Sequence, residues 1–468
     1  MARIVVLGAG VCGLAAAMML SRDGHDVTVL EQDPAPVPDS AQEAWEHWER
    51  GGVTQFRQAH YLQARSRQVL DDELPDVRDA LLGAGAVRLD LIELMPPSIA
   101  DRGRRAGDER FVTITGRRPM LEHVVARAAE AEPGLEVRRG VAAEELLTTQ
   151  LDGLPHVTGV RTATGEEWRA DLVVDAMGRR SHVPRWLDGA GARPLHEEAE
   201  DSGFIYYTRF FRGSEPPQVR APPLTPLGSM TLLTLPGDND TWSVTIYISA
   251  GDQPLKRLRE VDPWTAVVAA CPLHAHWLDG EPISGVLPMG GIADRFRRLV
   301  VDGRPVATGL ALVADACACT NPSLGRGIAL GLLHAQGLRD VARAHLEQQP
   351  GEFAEAWDAE TEAQLVPWYR STVRTDRDRL HEIEALRQGL EPPRPADRDA
   401  AVRAALPAAA AQDADVFRAL LELRCCIGSP AAVLARPGLA ERVLELAGNG
   451  TMPAIPGPSR EQLLALLA

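Results

Sequence analysis

The chain opens with the stretch RIVVLGAGVCGLAAAMMLSRDGHDVTVLEQD, which occupies residues 3–33. Residues 4–7 form an apolar, β-branched run of the length expected for a buried parallel strand. A glycine-rich turn follows without a gap, and a helix rich in alanine, leucine and methionine then extends to about Arg22. A second apolar strand over residues 27–30 ends at Glu31. Strand, glycine turn, helix and strand in this order predict the first β-α-β unit of a doubly wound sheet.

The three glycines of this turn each have a separate task in a nucleotide-binding unit. Gly8 permits the tight turn, Gly10 lets a pyrophosphate approach the backbone, and Gly13 lets the helix pack closely against the strand. The first turn of the helix directs its free N–H groups at the phosphates. Glu31 lies about twenty residues further on, where a carboxylate accepts hydrogen bonds from ribose hydroxyls, and an acid there suits FAD or NAD and disfavours NADP. We assign the adjoining residues to the same cofactor site: Val11, Cys12 and Gln32.

Length and composition place the chain among soluble globular proteins of two or three domains. It has 468 residues and a net charge of −16, which argues against nucleic acid or an anionic membrane as a partner. No apolar run approaches the roughly 20 residues of a membrane span. Because the first strand begins at residue 3, we expect no signal peptide and a cytoplasmic protein. Six cysteines without a CxxC pair indicate reduced thiols and no metal site. The oligomeric state, monomer or homodimer, stays open.

Three basic or imidazole side chains that follow the first unit are candidates for the same site. Arg50 and Arg57 come soon after it, where guanidinium groups commonly hold phosphate or flavin edges. His60 is better explained as an orienting or packed histidine than as a base. A strand predicted over residues 111–114 leads into a helix, and Arg118 at that junction is placed to reach a bound dinucleotide.

Two further strand ends carry acids and glycines. Residues 170–175 are predicted to form a short buried strand that ends on Asp175. Ligands of doubly wound sheets lie at the carboxyl ends of strands, so the loop after it should face the nucleotide. A later strand leads into an acid, a loop with proline and glycine, and a long helix of small residues from residue 328. From these segments, and from an earlier strand end, we assign to the site Val141, Asp175, Gly178, Asp315, Pro322, Gly325, Arg326 and Gly327.

Between the nucleotide-binding segments lies a β-rich region. Segments 205–211, 230–235 and 242–249 predict an antiparallel sheet inserted as a second domain. The predicted fold class is therefore α/β, with a Rossmann-like FAD-binding domain, an inserted antiparallel β-sheet substrate domain and a C-terminal helical region. We assign residues 1–70, 108–190 and 290–345 to the first, 71–107 and 191–289 to the second, and 346–468 to the third.

The glycine motif and the segments 171–181 and 315–327 resemble, in order and spacing, FAD-dependent monooxygenases of the para-hydroxybenzoate hydroxylase type. The closer likeness is to a bacterial branch that acts on polyketide or terpenoid intermediates and includes polyether-pathway epoxidases. The resemblance covers about residues 1–345. It implies that the ADP half of FAD is held by Gly8, Gly10, Gly13 and Glu31, and that further cofactor contacts come from Arg118, Asp175 and Gly178.

The resemblance also assigns the third segment. Asp315 resembles the acid that bonds a ribityl hydroxyl, and Pro322, Gly325 and Gly327 resemble the loop whose backbone N–H groups lie along the isoalloxazine edge. A helix N-terminus behind that loop would stabilise negative charge on a reduced flavin. The family usually has Gly-Asp where this chain has Ala314 before the acid. We expect the alanine to fit, with a slightly displaced flavin.

The reaction implied by the resemblance is oxygenation of an apolar natural-product intermediate by epoxidation or hydroxylation. NADH or NADPH would reduce the FAD and bind only transiently, because a single Rossmann fingerprint is present. O2 as co-substrate would then give a C4a-hydroperoxyflavin that transfers oxygen to the substrate. No acid/base pair in the sequence declares itself as catalytic, which agrees with chemistry carried by the cofactor.

Four other functions were weighed against this one. Flavin-dependent halogenases need a lysine after the first fingerprint and a tryptophan-rich motif, whereas the one lysine here is Lys256. A polyketide cyclase or isomerase that keeps FAD in a non-redox role is the main alternative. A geranylgeranyl-reductase-like flavin enzyme and a non-catalytic flavin-binding partner protein are further alternatives.

Overall fold

The strands of the chain alternate with helices in its N-terminal part and follow one another directly in its middle part. The computed structural model describes residues 1–449 and 455–468. In chain order the strands are β1 Arg3–Leu7, β2 Asp26–Glu31, β3 Val87–Asp90, β4 Val112–Thr115, β5 Leu135–Arg139, β6 Ala143–Leu151, β7 Leu154–Thr162, β8 Glu167–Arg169, β9 Leu172–Asp175, β10 His196–Asp201, β11 Phe204–Arg212, β12 Leu224–Leu227, β13 Met230–Pro236, β14 Thr241–Ser249, β15 Glu281–Pro282, β16 Leu287–Met289, β17 Ala293–Arg298, β18 Val300–Val301, β19 Arg304–Pro305, β20 Leu310–Leu312 and β21 Ala318–Cys319.

The helices connect these strands and make up most of the chain after residue 327. In chain order they are α1 Val11–Arg22, α2 Ala41–His47, α3 Ala64–Glu73, α4 Pro75–Gly83, α5 Arg118–Ala131, α6 Val183–Gly189, α7 Val261–Ala269, α8 Gly327–His345, α9 Pro350–Gln364, α10 Val366–Arg387, α11 Arg398–Ala410, α12 Ala414–Arg424, α13 Pro430–Leu434, α14 Leu439–Asn449 and α15 Arg460–Leu466. No helix within the described ranges is long and apolar enough to cross a membrane.

A five-stranded parallel sheet forms the nucleotide-binding half. Its strand order is β20-β9-β1-β2-β5, so the first strand lies in the middle. The register pairs Leu7 with Leu30 on one side and with Asp175 on the other. The strands therefore end at one edge, where doubly wound sheets bind their ligands. The prediction of a Rossmann-like parallel sheet is confirmed.

Both faces of this sheet are covered, which explains the continuous apolar runs of its strands. Ile4 and Val6 of β1 pack on the side of α1, α5 and α8, in a core that also contains Trp357 of α9. Val5 and Leu7 pack on the opposite side, together with Trp368 of α10. The helices α9 and α10 thus return from the C-terminal region to the nucleotide-binding half.

An antiparallel sheet stands beside the parallel one, as the β-rich segments predicted. Its order is β12-β13-β14-β11-β15, with β16 also paired to β11. One face packs on α7 through a core that includes Trp242 and Trp264. The other face carries Tyr206 and Tyr247, which pack with Ile383 of α10.

Two further features lie outside the parallel sheet. The strand expected over residues 111–114 exists as β4, but it pairs antiparallel with β3 and stays outside the parallel sheet. The helices α3 and α4 are separate, because Pro75 has no backbone N–H to continue α3 and instead begins α4.

Candidate functional site

A cleft of about 490 Å³ lies at the carboxyl ends of β1, β2, β9 and β20, beside the N-termini of α1 and α8. Fifteen of the eighteen residues assigned from the sequence line it: Gly8, Gly10, Val11, Cys12, Gly13, Glu31, Gln32, Arg50, Arg118, Val141, Gly178, Asp315, Pro322, Gly325 and Gly327. The three whose side chains do not line it are Arg57, Asp175 and Arg326.

The three glycines of the first turn differ in what a side chain would meet. Gly8 has a φ of +103°, and a Cβ there would lie 2.8 Å from the carbonyl oxygen of Ala176. A Cβ on Gly13 would lie 2.3 Å from the carbonyl oxygen of Gly8. Gly10 has an extended backbone, with φ −79° and ψ 169°, and a Cβ there would meet no protein atom within 4 Å. The protein itself therefore does not need glycine at position 10, and the free space belongs to the cleft.

Glu31 closes the cleft at the end of β2. Its Oε2 accepts hydrogen bonds from the backbone N–H of Ala9 at 2.9 Å and from Nη2 of Arg50 at 3.0 Å. Its Oε1 accepts from the backbone N–H of Asp33 at 2.9 Å. Arg50 is buried and also lies 3.2 Å from Glu122 of α5. This charged cluster fixes the Glu31 carboxylate in place while one edge of it faces the cleft.

Arg118 is held at the cleft by a neutral histidine and a carboxylate. Its Nη1 lies 2.9 Å from Nε2 of His60, and its Nε donates to Glu122 at 2.7 Å. Nδ1 of His60 lies 3.0 Å from the carbonyl oxygen of Gln58, so Nδ1 donates and Nε2 accepts. Burial, followed by the positive charge of Arg118, lowers the pKa of His60 to about 3. His60 therefore orients Arg118 and does not exchange protons near neutral pH.

Asp175, the last residue of β9, organises the loop that follows this strand. It is fully buried. Its Oδ1 accepts from the backbone N–H of Met177 at 3.0 Å, and its Oδ2 accepts a short bond from the hydroxyl of Ser181. These bonds shape the turn that presents Gly178 to the cleft. The side chain of Asp175 turns back into its own loop and does not line the cleft, and its contact with a cofactor stays a prediction.

The Asp175 carboxyl should make stability depend on pH. Burial outweighs its two hydrogen bonds and raises its pKa from 3.8 to about 6. Between these values the folded state keeps a proton that the unfolded chain has released, so stability from this group falls as pH rises from about 4 to about 6 and is constant above. Between about pH 4 and pH 6, the free energy of urea unfolding of the wild type should fall by about 3 kcal/mol relative to that of Asp175→Asn. Asp188 is exposed, so Asp188→Asn should show the same pH dependence of unfolding as the wild type. The same pH dependence in all three proteins would contradict a raised pKa for Asp175.

Ala314, where the family usually has glycine, adopts a left-handed backbone with a φ of +54°. Its N–H donates to Nδ1 of His334 on α8 at 3.1 Å. A Cβ on Gly331 of α8 would lie 3.0 Å from the Ala314 Cβ and 2.3 Å from Sγ of Cys12. Gly331 therefore provides the room that the extra methyl group occupies. The alanine fits as expected, at the roughly 1–2 kcal/mol that a left-handed non-glycine residue costs.

Asp315 points its carboxylate at the cleft. Within the residues that the structure describes, no protein group hydrogen-bonds to this carboxylate. Burial raises its pKa, and the charges of Arg118 and Arg179 act in the opposite direction. A half-buried acceptor without a protein donor is suited to a ligand that brings hydroxyl groups.

Two arginines assigned from the sequence are used elsewhere in the protein. Arg57 donates to the carbonyl oxygen of Trp48 at 3.4 Å and lies over the ring of Trp45. Arg326 is buried, donates to Thr372 of α10 at 3.1 Å and lies over Trp368. Both guanidinium groups therefore contact an aromatic ring and an oxygen acceptor outside the cleft.

Comparison with known proteins agrees with this geometry. Residues 3–41 match a family model described as FAD dependent oxidoreductase. Over 388 residues the chain is 26% identical to Protein Rv3254 of Mycobacterium tuberculosis, with 79% of each chain covered. The Diels-Alderase PyrE3 of the pyrroindomycin biosynthetic pathway has a similar structure, with a TM-score of 0.59, 18% identity, and 91% of this chain and 80% of that one covered. PqsL, a probable FAD-dependent monooxygenase from Pseudomonas aeruginosa, has a TM-score of 0.58 at 16% identity. The match covers 83% of this chain and 98% of PqsL.

The chain therefore shares its fold with PyrE3 and PqsL. The epoxidase branch suggested by the sequence stays a prediction.

Several cleft residues of this fold were not assigned from the sequence. Arg179 lines the cleft and donates to Thr54 at 2.7 Å, and the signal for it was the arginine pair directly after Gly178. Met289 of β16 and Ile292 reach the cleft from the antiparallel side. No local pattern marks these two apolar residues, because they are brought there by the pairing of β16 with β11.

Proposed function

We propose that this chain is an FAD-dependent monooxygenase that acts on an apolar small molecule, of the kind made as a natural-product intermediate. The observation that supports it most strongly is the combination, in one cleft, of a glycine with free space beside it and an acid that receives no hydrogen bond from any residue the structure describes. Gly10 leaves room for a pyrophosphate, and Asp315 offers an acceptor to a polyhydroxylated chain. Together they fit an extended dinucleotide that carries a ribityl group.

In this proposal each part of the cleft holds one part of FAD. The backbone at Gly10 and the N-terminus of α1 receive the pyrophosphate. Glu31 receives the adenosine ribose, and Asp315 receives the ribityl hydroxyls. The remaining cofactor contacts are assigned to Gly8, Val11, Cys12, Gly13, Gln32, Arg50, Arg118, Val141, Gly178, Pro322, Gly325 and Gly327. When bound, FAD would supply the redox chemistry, accepting a hydride from NAD(P)H and using O2 to place one oxygen atom in the substrate.

The protein's own contribution is to orient, to exclude water and to place positive potential. The first turn of α8 begins beside the cleft-lining loop of Pro322 and Gly325. The backbone N–H groups of that turn have no intrahelical partner and would stabilise negative charge in the cleft. Arg118 adds a fixed positive charge, because neutral His60 and Glu122 hold its guanidinium in one orientation. Met289 and Ile292 give the opposite wall an apolar surface, which suits an apolar substrate and keeps water out.

Removing the Asp315 carboxylate should weaken FAD binding. Asp315→Ala should raise the dissociation constant of FAD by about 5- to 150-fold, which corresponds to the roughly 1–3 kcal/mol of a hydrogen bond to a charged group. The measurement is a flavin fluorescence titration of the folded apoprotein, with the exposed Asp302→Ala as control. A variant that loses stability but binds FAD like the wild type would reduce Asp315 to a helix-capping role.

The oxygenase function is tested by following the flavin and O2 together. Anaerobic NADH or NADPH should bleach the bound flavin, and apolar candidate substrates that fit the cleft should accelerate the bleaching. Air should restore the oxidised spectrum with one O2 consumed per NAD(P)H, and ¹⁸O from labelled O2 should appear in the product. If neither NADH nor NADPH reduces the bound flavin, with or without a substrate that the protein binds, the oxygenase function is contradicted.

A non-redox cyclase is the second candidate, and the similarity to a Diels-Alderase favours considering it. A Diels–Alder reaction forms two carbon–carbon bonds and changes no net oxidation state, so it needs neither O2 nor reductant. Product formation under anaerobic conditions with oxidised FAD would therefore select this function. Dependence of product formation on both O2 and NAD(P)H would select the monooxygenase.

A further inference from the structure

The loop of residues 320–327 has two sides, and the C-terminal helix α10 holds the side that faces away from the cleft. Thr320, Pro322, Gly325 and Gly327 line the cleft. The side chains between them turn the other way and are buried against groups outside the cleft: Asn321, Ser323 and Arg326.

Asp376 of α10 binds two of these side chains at once. Its carboxylate is only 4% exposed. Oδ1 accepts from the hydroxyl of Ser323 at 2.6 Å, and Oδ2 accepts from Nδ2 of Asn321 at 3.1 Å. The amide oxygen of Asn321 accepts from the hydroxyl of Tyr206 on β11 at 2.8 Å, and its backbone N–H donates to Asp294 on β17 at 2.6 Å. The antiparallel sheet, β17 and the C-terminal region therefore meet at one loop residue.

The third side chain of the loop is held by the same face of α10, one turn earlier. Nη1 of Arg326 donates to Thr372 at 3.1 Å, and Nη2 donates to the carbonyl oxygen of Leu423 at 2.9 Å. The guanidinium lies 5.1 Å from the ring centre of Trp368. Thr372 and Asp376 are four residues apart, so they form one continuous polar face toward the loop.

A separate connection from α9 reaches the start of this segment. Nδ1 of His334 accepts from the backbone N–H of Ala314, and its Nε2 lies 3.0 Å from the hydroxyl of Thr361 on α9. The imidazole ring stacks on Trp357 of α9 with centroids 4.3 Å apart. The residue before Asp315 and the loop after it are thus both fixed from the C-terminal helices.

We propose that Asp376 is a positioning residue for the cofactor, and that through Asn321 and Ser323 it fixes the loop in the shape that lines the flavin site. This inference rests on the proposed function. By this proposal α10 is part of the flavin site, although no residue of the C-terminal helical region was assigned to a site from the sequence.

The charge state of Asp376 makes its hydrogen bonds with Asn321 and Ser323 depend on pH. Burial raises its pKa to about 7, and the bonds from Ser323 and Asn321 only partly offset this. The charged and titratable groups that face it are Asp294, which raises the pKa, Arg326, which lowers it, and the phenols of Tyr206 and Tyr247. As an ionised carboxylate, Asp376 accepts from both loop side chains, and protonation removes one of these acceptor positions.

The experiment compares Asp376→Asn and Asp376→Ala with the wild type. Both should raise the dissociation constant of FAD about tenfold or more, with unchanged circular dichroism of the apoprotein. Asp378→Asn changes an exposed acid on the same helix and should bind FAD like the wild type. Ser323→Ala, which removes one of the two bonds and keeps the charge, should have an intermediate effect and replaces the Asp376 variants if they do not fold.

Two readouts separate positioning from a merely structural role. FAD affinity of the wild type should weaken as pH falls through about 7, and this step should be absent in Asp376→Asn. Hydrogen exchange of residues 320–327 in the apoprotein should be faster in both Asp376 variants. Variants that melt earlier but keep the wild-type FAD affinity and pH step would overturn the proposal. Failure of the wild type to bind FAD would overturn the proposed function instead, and the exchange measurement would still decide whether Asp376 holds the loop.

Discussion

A chain carrying Gly10→Val should fold normally and bind no FAD. Valine accepts the extended backbone of this position, and its Cβ would meet no protein atom within 4 Å. The side chain would instead occupy the space assigned to the pyrophosphate. We expect the dissociation constant of FAD to rise at least about 100-fold, or about 3 kcal/mol, with the urea midpoint of the apoprotein unchanged.

Two further glycine variants make this result specific. Gly13→Val should fail to fold stably, because its Cβ would lie 2.3 Å from the carbonyl oxygen of Gly8. Gly351→Val, in the first turn of α9 and also without a neighbour within 4 Å, should leave both folding and FAD binding intact. Wild-type FAD affinity in Gly10→Val would refute the placement of the cofactor.

Loss of one buried charge between the start of α5 and the turn that joins β13 to β14 should have the largest effect on stability. The backbone N–H of Arg117, its Nε and its Nη2 all donate to the Asp238 carboxylate, at 2.6, 3.0 and 2.7 Å. Neither side chain is more than 1% exposed. Asp238→Asn would leave a buried guanidinium without its counter-charge and should lower the free energy of unfolding by about 3–5 kcal/mol.

The matched control lies two residues further along the same turn. Asp240 is exposed, and Asp240→Asn should change the free energy of unfolding by less than about 0.5 kcal/mol. Because Arg118 follows Arg117 directly, Asp238→Asn should weaken FAD binding as well. Equal urea midpoints for the two asparagine variants would show that the ion pair does not stabilise this junction.

The local parts of the fold were predictable from the sequence because their signals are short in range. The first β-α-β unit is specified by the apolar run before Gly8, the small residues of α1 and the acid at Glu31, all within residues 3–33. The same holds for β9 ending at Asp175. The strand that pairs with β4 was not predictable, since tertiary contacts and not a pattern in residues 112–115 select β3 as its partner.

Side-chain directions could be predicted less well than positions. Arg326 stands between two cleft-lining glycines, yet it turns away because α10 offers Thr372 and Trp368. Asp376 lies 53 residues beyond Ser323 along the chain, and no motif near it announces the contact. Buried polar networks of this kind join distant segments, so they become visible only after the helices have packed.

The measurement that tests most directly whether the cleft holds FAD is the identity and amount of flavin bound to the purified protein. Heat denaturation followed by chromatography should release one FAD per chain, from a yellow protein that regains its colour when the apoprotein is mixed with FAD. Release of FMN, or an apoprotein that takes up no FAD, would contradict the account.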